Sequence, residues 1–213
     1  MASSFPSTEM HATPEERARL ELAEALSWLM PFHYFYEKGG ETLPDFRFLR
    51  GEEVPYPYRS LLVHTNDMTP TLAAFHQSRL YLEVHEHESN DQFVIRLVTL
   101  HAASNDAPVE YGAIAIQLGG LAPEVAAEVV AGRKPLGGLL GEHAVAHRGA
   151  PVAYFSVPAD ERIAKALGQV PGEVLYGRCN QLLDADGMVF ADIVEILPRS
   201  NESEAWVRPG DGL

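Results

Sequence analysis

The sequence has 213 residues, 46% of them hydrophobic and 22% charged, which is typical of one globular domain with short tails. Thirty acidic and 16 basic residues give a net charge of −14 and a pI near 5.0. This charge argues against nucleic acid and anionic membranes as partners, because both attract clusters of Lys and Arg. The single Cys179 excludes an internal disulfide, and no run of 18 apolar residues occurs. We therefore expect a cytoplasmic protein, and its oligomeric state is left open.

The N-terminal quarter predicts one helix and a long loop. Residues 1–12 are rich in Ser, Thr and Ala without a period and are predicted to be a disordered tail. The residues Thr13-Pro14-Glu15-Glu16 predict a helix start, with Thr as N-cap and Pro in the first turn. Pro31 is predicted to end or kink this helix, and it opens an aromatic cluster, PFHYFY, that we expect to pack in the core or in a lid. Residues 39–58 contain three prolines and are predicted to be a loop.

The middle of the chain alternates between strand and helix signals. Residues 60–64 predict a short strand, and Thr69-Pro70 predicts the start of a helix that runs through Ala74. The Gly-rich stretch from Lys134 to Gly141 lacks a phosphate-loop ending and is predicted to be a connection. Apolar runs and period-two alternation predict strands at 80–88, 92–101 and 109–118, and a helix is predicted at 123–131.

The C-terminal part predicts a hairpin with charged residues inside apolar strands. A strand at 151–157 and a helix at 159–167 precede it. Strands 174–183 and 188–197 flank the turn Asp184-Ala185-Asp186-Gly187, where Gly accepts the positive φ of a tight turn. Antiparallel strands with helices between them predict an α+β fold with one sheet. We expect one domain over residues 13–200 and a polar tail over 201–213.

Two histidines in the strand at 80–88 raise the question of a metal. His85 and His87 alternate on one predicted face, but glutamates alternate with them and a site needs three or four converging ligands. The pattern is more typical of a solvated strand, so we expect no metal site.

Four pieces of sequence, in order, resemble the chorismate pyruvate-lyase family. The resemblance covers residues 60–198 and extends to the ligand-binding domains of one class of bacterial transcription regulators with the same fold. It implies a single antiparallel sheet with helices on one face and helical flaps over a buried pocket. The four pieces are Asp67-Met68-Thr69, similar to the family's S-M-T turn; Arg96 in an apolar strand; Lys134-Pro135-Leu136-Gly137, similar to T-P-L-G; and Gly177-Arg178 with the closing Leu197-Pro198, similar to W-G-R-R and E-x-F-L-P.

The resemblance also implies a reaction. Family members eliminate pyruvate from chorismate to leave 4-hydroxybenzoate, and they use no metal or cofactor. Such a reaction needs cationic or N–H donors for a carboxylate and for the leaving oxygen, and an acid that serves the proton shift at the ring.

Two positions match the family's pocket directly. Met68 corresponds to the turn residue whose backbone holds a ligand carboxylate, and Arg96 corresponds to a pocket arginine that can bind a carboxylate with two parallel bonds. The Arg96 guanidinium is therefore predicted to point into an enclosed pocket together with the Met68 backbone.

Other family positions are changed in this sequence. Gly112 corresponds to the glycine before a second arginine, but the next residue is Ala113. The position of the family's glutamate is Val194, and Glu195 lies one residue later, which on a strand is the opposite face unless a bulge intervenes. Arg178 is either a ligand contact or the partner of Asp192 or Glu195 across the hairpin.

Three functional hypotheses follow. The first is a lyase that acts on chorismate or a related enolpyruvyl aromatic precursor, with Arg96, Glu195 and Arg178 as catalytic residues. The alternative is a non-catalytic protein that binds a small carboxylate, such as an aromatic acid, in the same pocket through Met68, Arg96 and Gly112. A third is a scaffold whose aromatic helix packs on a partner.

Overall fold

The computed structural model describes residues 23, 24, 26–200 and 206. The described residues form seven strands and six helices. The strands are β1 (Arg47–Leu49), β2 (Leu80–Ser89), β3 (Phe93–Ala102), β4 (Pro108–Gln117), β5 (Arg148–Pro158), β6 (Val174–Leu183) and β7 (Val189–Leu197). The helices are α1 (Met30–Lys38), α2 (Tyr58–Leu62), α3 (Met68–Phe75), α4 (Pro123–Ala131), α5 (Leu136–Glu142) and α6 (Glu161–Leu167), and a 3₁₀ turn covers Gly51–Glu53. None of the described helices is long and apolar enough to cross a bilayer.

All seven strands belong to one sheet, in the order β1-β5-β6-β7-β4-β3-β2, and every neighbouring pair is antiparallel. The prediction of an α+β fold with a single antiparallel sheet is confirmed. The predicted hairpin forms β6 and β7, and Gly187 in its turn has a φ of +82°. Strands β4 and β7 lie at the centre of the sheet, where both faces are covered.

Helices cover both faces of the sheet, whereas the resemblance placed them on one. On the first face, α2, α3, α4 and α5 pack on sheet side chains such as Leu100 and Ile116. On the second face, α1 and α6 pack on side chains that include Leu97 and Val194. The second layer follows from the aromatic cluster of α1: its buried residues need an apolar surface of their own, and this confirms that the cluster packs in the core. The larger helical layer on the first face encloses the candidate site.

Three local predictions differ from the structure. Helix α2 (Tyr58–Leu62) takes up residues 60–62 of the strand predicted at 60–64, because Tyr58, Leu61 and Leu62 form a helical stripe that is buried. Residues 136–142 are helix α5 and not a connection, because three buried leucines at helical spacing override the helix-weakening glycines. Within the predicted loop 39–58, residues 47–49 form edge strand β1, which pairs with β5.

Pro31 lies in the first turn of α1, and Leu29 separates α1 from the helical residues 26–28. A break in the helix beside Pro31 is therefore confirmed. The predicted helix start at Thr13 and both predicted tails lie outside the described residues, apart from Trp206, whose ring contacts Phe75.

Candidate functional site

A cavity of about 60 Å³ lies between the first face of the sheet and the N-terminal ends of α3 and α5. Its floor comes from β3, β4, β6 and β7, and its roof includes Met68 and Leu136. The first turns of α3 and α5 approach closely, since a side-chain carbon at Gly137 would lie 3.5 Å from the Asp67 Cβ. The helices thus close the cavity from above, as the predicted flaps would.

The antiparallel register arranges the cavity floor in rows that run across four strands. One row joins Arg96, Ile114, Ile193 and Asn180, because each is the direct partner of the next. Adjacent strands are spaced by about 4.8 Å, so Arg96 and Asn180 have Cα atoms roughly 14 Å apart. The two isoleucines form an apolar floor between two polar ends.

The next row joins Val98, Gly112, Glu195 and Arg178 in the same way. A side-chain carbon at Gly112 would lie 2.5 Å from the Val194 carbonyl oxygen, a distance that real contacts do not reach. The same position is 3.5 Å from the Glu110 Oε1. The absence of a side chain at Gly112 therefore leaves room for the carboxyl group of Glu110 over the centre of the floor.

Arg96 is a buried cation without a hydrogen-bond partner for two of its nitrogen atoms. Its exposed fraction is 2%, and neither Nε nor Nη1 finds an acceptor among the described residues. Burial lowers the pKa of the guanidinium to about 10, because the charged form is removed from water. Arg96 and Met68 both line the cavity, and the free donors of Arg96 suit a ligand carboxylate.

Glu110 is a buried acid that the sequence analysis missed. Its exposed fraction is 6%, and its Oε2 has no partner among the described residues. Burial, followed by the nearby charge of Glu195, raises the pKa of Glu110 well above its ordinary value of 4.5. The raised pKa favours the protonated carboxyl, which can both donate and accept a hydrogen bond. Its alternation with Gly112 along one strand was the signal that could have identified it.

Arg178 and Glu195 form an ion pair across the hairpin, beside the cavity. The Arg178 Nε donates to the Glu195 Oε2 at 2.5 Å, and the Arg178 side chain is fully buried. Arg178 also donates to the carbonyl oxygens of Leu62, His64 and Asn66 at 3.2, 3.0 and 3.4 Å. Of the two partners considered for Arg178 across the hairpin, the structure therefore selects Glu195; Asp192 instead accepts from Gln181 at 2.9 Å.

Glu195 lies on the cavity face, while Val194 is buried in the core on the second face. The register of β7 with both neighbours is regular through these two residues, so no bulge exchanges them. Ala113, at the position of the family's second arginine, is likewise directed to the second core. Among the described residues, the sheet thus contributes Arg96, Glu110 and Glu195 to the cavity lining as ionisable residues, and Arg178 is buried next to Glu195.

His147 fixes the segment between α5 and β5 to the start of α3. Its Nε2 lies 3.1 and 3.0 Å from the two carboxylate oxygens of Asp67, and its Nδ1 lies 2.8 Å from the carbonyl oxygen of Val145. Asp67 precedes α3 but makes no side-chain cap, because its carboxylate is directed to His147. The contact holds the two helices that cover the cavity.

All the buried polar side-chain atoms that lack a partner within the described ranges line this one cavity. They are Nε and Nη1 of Arg96, Oε2 of Glu110 and Oδ1 of Asn180, whose exposed fraction is 3%. An unpaired buried polar group costs free energy, so native structures contain few of them and each requires an explanation. Their concentration around one cavity marks it as the candidate binding site.

The histidines of β2 lie on opposite faces, although alternation predicted one face. A bulge between Val84 and Glu86 shifts the register, so His87 pairs with Arg96. The His85 ring lies 2.7 Å from the Thr99 Oγ1 on the other face. In the part of the chain that the structure describes, no three His, Cys, Asp or Glu side chains are arranged to hold a metal ion.

Comparison with known proteins gives similarity in structure only. No family model matches the sequence, and no curated protein matches it significantly. PhnF from Mycobacterium smegmatis is 11% identical, with 70% of this chain and 71% of that chain covered and a TM-score of 0.52. The gene product SA0254 of Staphylococcus aureus is 9% identical, with 68% and 96% covered and a TM-score of 0.50.

The ligand-binding domain of a Bordetella bronchiseptica protein, assigned to the GntR family of transcriptional regulators, is 18% identical. The match covers 59% of this chain and 90% of that domain, with a TM-score of 0.44. At these identities the similarity concerns the fold alone. The chain therefore shares its single-sheet α+β fold with PhnF and SA0254, whose TM-scores are 0.52 and 0.50.

Proposed function

We propose that the protein binds a small carboxylate in the cavity without converting it. The observation that supports this most directly is the buried guanidinium of Arg96, whose Nε and Nη1 find no acceptor among the described residues. A ligand carboxylate would accept two hydrogen bonds from it and neutralise its charge. Met68, at the first turn of α3, lines the same cavity and would place backbone N–H groups near the anion.

Three features favour binding over the lyase reaction. Arg96 is the one arginine among the described residues that line the cavity, so no second unpaired arginine is present there to stabilise a leaving oxygen. Glu195, which a proton shift would require, is held by Arg178 at 2.5 Å. The cavity of about 60 Å³ is also smaller than the engineered cavity of roughly 150 Å³ that accommodates benzene.

The size of the cavity also determines which candidate ligands fit without a movement of the helices. A compact aliphatic acid fits between the floor and the helices as they stand. An aromatic acid such as 4-hydroxybenzoate requires α5 to move away from α3, and the contact of His147 with Asp67 opposes that motion. One structural neighbour is described as a ligand-binding domain of a transcriptional regulator, which supports a role in sensing a small molecule.

Isothermal titration calorimetry with acetate, butyrate and 4-hydroxybenzoate tests the proposal. We expect at least one of these acids to bind, and the Arg96→Met variant to bind it about 10- to 150-fold more weakly, the range for a hydrogen bond to a charged group. The matched control is Arg50→Met, since the side chain of Arg50 is 77% exposed and lies outside the cavity. Equal affinity of the two variants for the acid would show that Arg96 does not bind the ligand.

The competing hypothesis, that the protein is a lyase, is tested with chorismate. Incubation of the protein with chorismate, followed by a coupled assay for pyruvate, should give no release above the rate without protein. Pyruvate release that is lost in the Arg96→Met variant would instead support the lyase reading, with Arg96, Arg178 and Glu195 as its catalytic residues.

A further inference from the structure

Helix α3 begins at a residue that is well suited to cap it but does not do so. Asp67 has the extended backbone of an N-cap residue, and Asp is among the residues that cap helices best. Its carboxylate nevertheless makes no cap hydrogen bond. The N–H groups of Met68 and Thr69, which a helix leaves without an internal acceptor, are therefore not capped by a side chain. Pro70 has no N–H, so these two groups are the donors among the first three residues of α3.

His147 holds the Asp67 carboxylate away from these donors. Its Nε2 lies 3.1 and 3.0 Å from the two carboxylate oxygens, and its Nδ1 lies 2.8 Å from the carbonyl oxygen of Val145, which fixes the orientation of the ring. The side chains of His147 and Asp67 are 11% and 25% exposed. The start of β5 is also close to the same loop, because a side-chain carbon at Gly149 would lie 2.6 Å from the Thr65 carbonyl oxygen. His147 therefore has little freedom to move away from Asp67.

The N-terminus of α3 and Arg96 belong to the lining of one cavity. Asp67, Met68 and Thr69 line it together with Arg96. Arg96 is 2% exposed, and its Nε and Nη1 have no acceptor among the described residues, which is independent support for an anion in this cavity. A helix N-terminus attracts a nearby carboxylate, whether it comes from a ligand or from the chain itself. Asp67 is therefore an internal competitor for the N–H groups that would bind a ligand carboxylate.

We propose that His147 is a positioning residue, which keeps the Asp67 carboxylate off the N-terminus of α3 and so leaves the N–H groups of Met68 and Thr69 available to the ligand. This inference rests on the proposed function and adds to it a residue outside the cavity lining. When the contact is absent, rotation of the Asp67 side chain lets its carboxylate accept from the Thr69 N–H, which is a usual bond of an N-cap Asp. The carboxylate then occupies the place of the ligand anion and repels it.

Calorimetric titration of His147 variants with acetate, butyrate and 4-hydroxybenzoate tests the inference. His147→Leu removes both N–H donors and should bind the acid that the wild type binds about tenfold more weakly or worse, the scale of a hydrogen bond to a charged group. His147→Gln retains an amide N–H that can donate to Asp67, so it should retain most of the affinity. The matched control is His33→Leu, because the side chain of His33 is 44% exposed on α1, which packs on the other face of the sheet.

A second substitution distinguishes the positioning of Asp67 from a purely structural role of His147. The double variant His147→Leu with Asp67→Ala has no competing carboxylate, so it should bind the acid as tightly as Asp67→Ala alone. If the contact only held α3 against the segment before β5, removal of Asp67 would not restore binding. A double variant as weak as His147→Leu would therefore overturn the inference, while the loss of binding in Arg96→Met would still support the proposed function.

Nuclear magnetic resonance tests the position of the Asp67 carboxylate without a ligand. In His147→Leu the amide proton of Thr69 should move downfield from its wild-type position, because a hydrogen bond to a carboxylate deshields it, and this shift should be absent in the double variant. An unchanged Thr69 signal in His147→Leu would overturn the inference whether or not an acid binds. The expected shift, in a protein that binds none of the three acids, would support the hold of His147 on Asp67 and refute the proposed function.

Discussion

Replacement of Arg96 by methionine should stabilise the empty protein while it weakens carboxylate binding. The substitution removes a buried charge that has no acceptor for Nε or Nη1 among the described residues and leaves a side chain of similar length in an apolar site. The drop in the pKa of Arg96 from 12.5 to about 10 corresponds to roughly 3 kcal/mol of unfavourable free energy, at about 1.4 kcal/mol for each pKa unit. Because the full cost is rarely recovered after relaxation, we expect a gain of about 1–3 kcal/mol.

Urea unfolding at neutral pH, without carboxylate buffers, measures this gain as a higher midpoint at an unchanged slope. Arg50→Met is the matched control, because its side chain is 77% exposed, and it should change the free energy of unfolding by less than about 0.5 kcal/mol. The sign is the critical result. A loss of more than about 1 kcal/mol in Arg96→Met would mean that Arg96 is satisfied within the protein, and the argument for a ligand at this position would be refuted.

Three other substitutions test the remaining parts of the site. Arg178→Met should destabilise the protein by about 3–5 kcal/mol in urea unfolding, since it leaves Glu195 as an unpaired buried charge; a loss below about 1 kcal/mol would contradict the buried pair. Glu110→Gln should stabilise the protein more at about pH 7 than at about pH 4. The folded state retains a proton on Glu110 that the unfolded chain releases above pH 4.5, so the free energy of unfolding falls as the pH rises through that range, and an equal effect at both pH values would refute the protonated carboxyl. Gly112→Ala should lower the unfolding midpoint and weaken ligand binding, because its Cβ would meet the Val194 carbonyl oxygen at 2.5 Å; unchanged values for both would show that the strand can move without cost.

Local signals in the sequence predicted most of the sheet. The β6–β7 hairpin follows from an Asp-Gly turn between two apolar runs, and α4 follows from Pro123 at its start and Gly132 at its end. The hairpin and α4 are both determined by residues that are adjacent in the sequence. The incorrect predictions of secondary structure concerned short apolar segments such as residues 58–62. A segment of five residues is compatible with both a strand and a helical stripe, and its packing in the core decides between them.

The candidate site was only partly predictable, because its contacts join distant parts of the chain. Arg96 and Met68 entered through a family resemblance, and the cavity contains both. The local signal for Glu110, its alternation with Gly112, is weak, because Pro108 and the turn before it suggest an exposed strand end. The burial of Glu110 follows from the position of β4 between β3 and β7. The bulge in β2, which places His85 and His87 on opposite faces of the sheet, also has no clear signal in the sequence.

The sheet keeps apart two groups that would otherwise satisfy each other. A charged arginine without an acceptor for two nitrogens and a buried glutamate without a partner for Oε2 would both gain from a direct ion pair, in which the glutamate is ionised. Arg96 lies opposite Ile114 and Glu110 lies opposite Leu100, so the register separates them by four residues along the same pair of strands. At about 3.4 Å per residue, this separates their Cα atoms by roughly 14 Å along the strands. The register of β3 and β4 thus keeps each group away from the partner that would satisfy it most directly, which is why both retain unpaired polar atoms in the cavity lining.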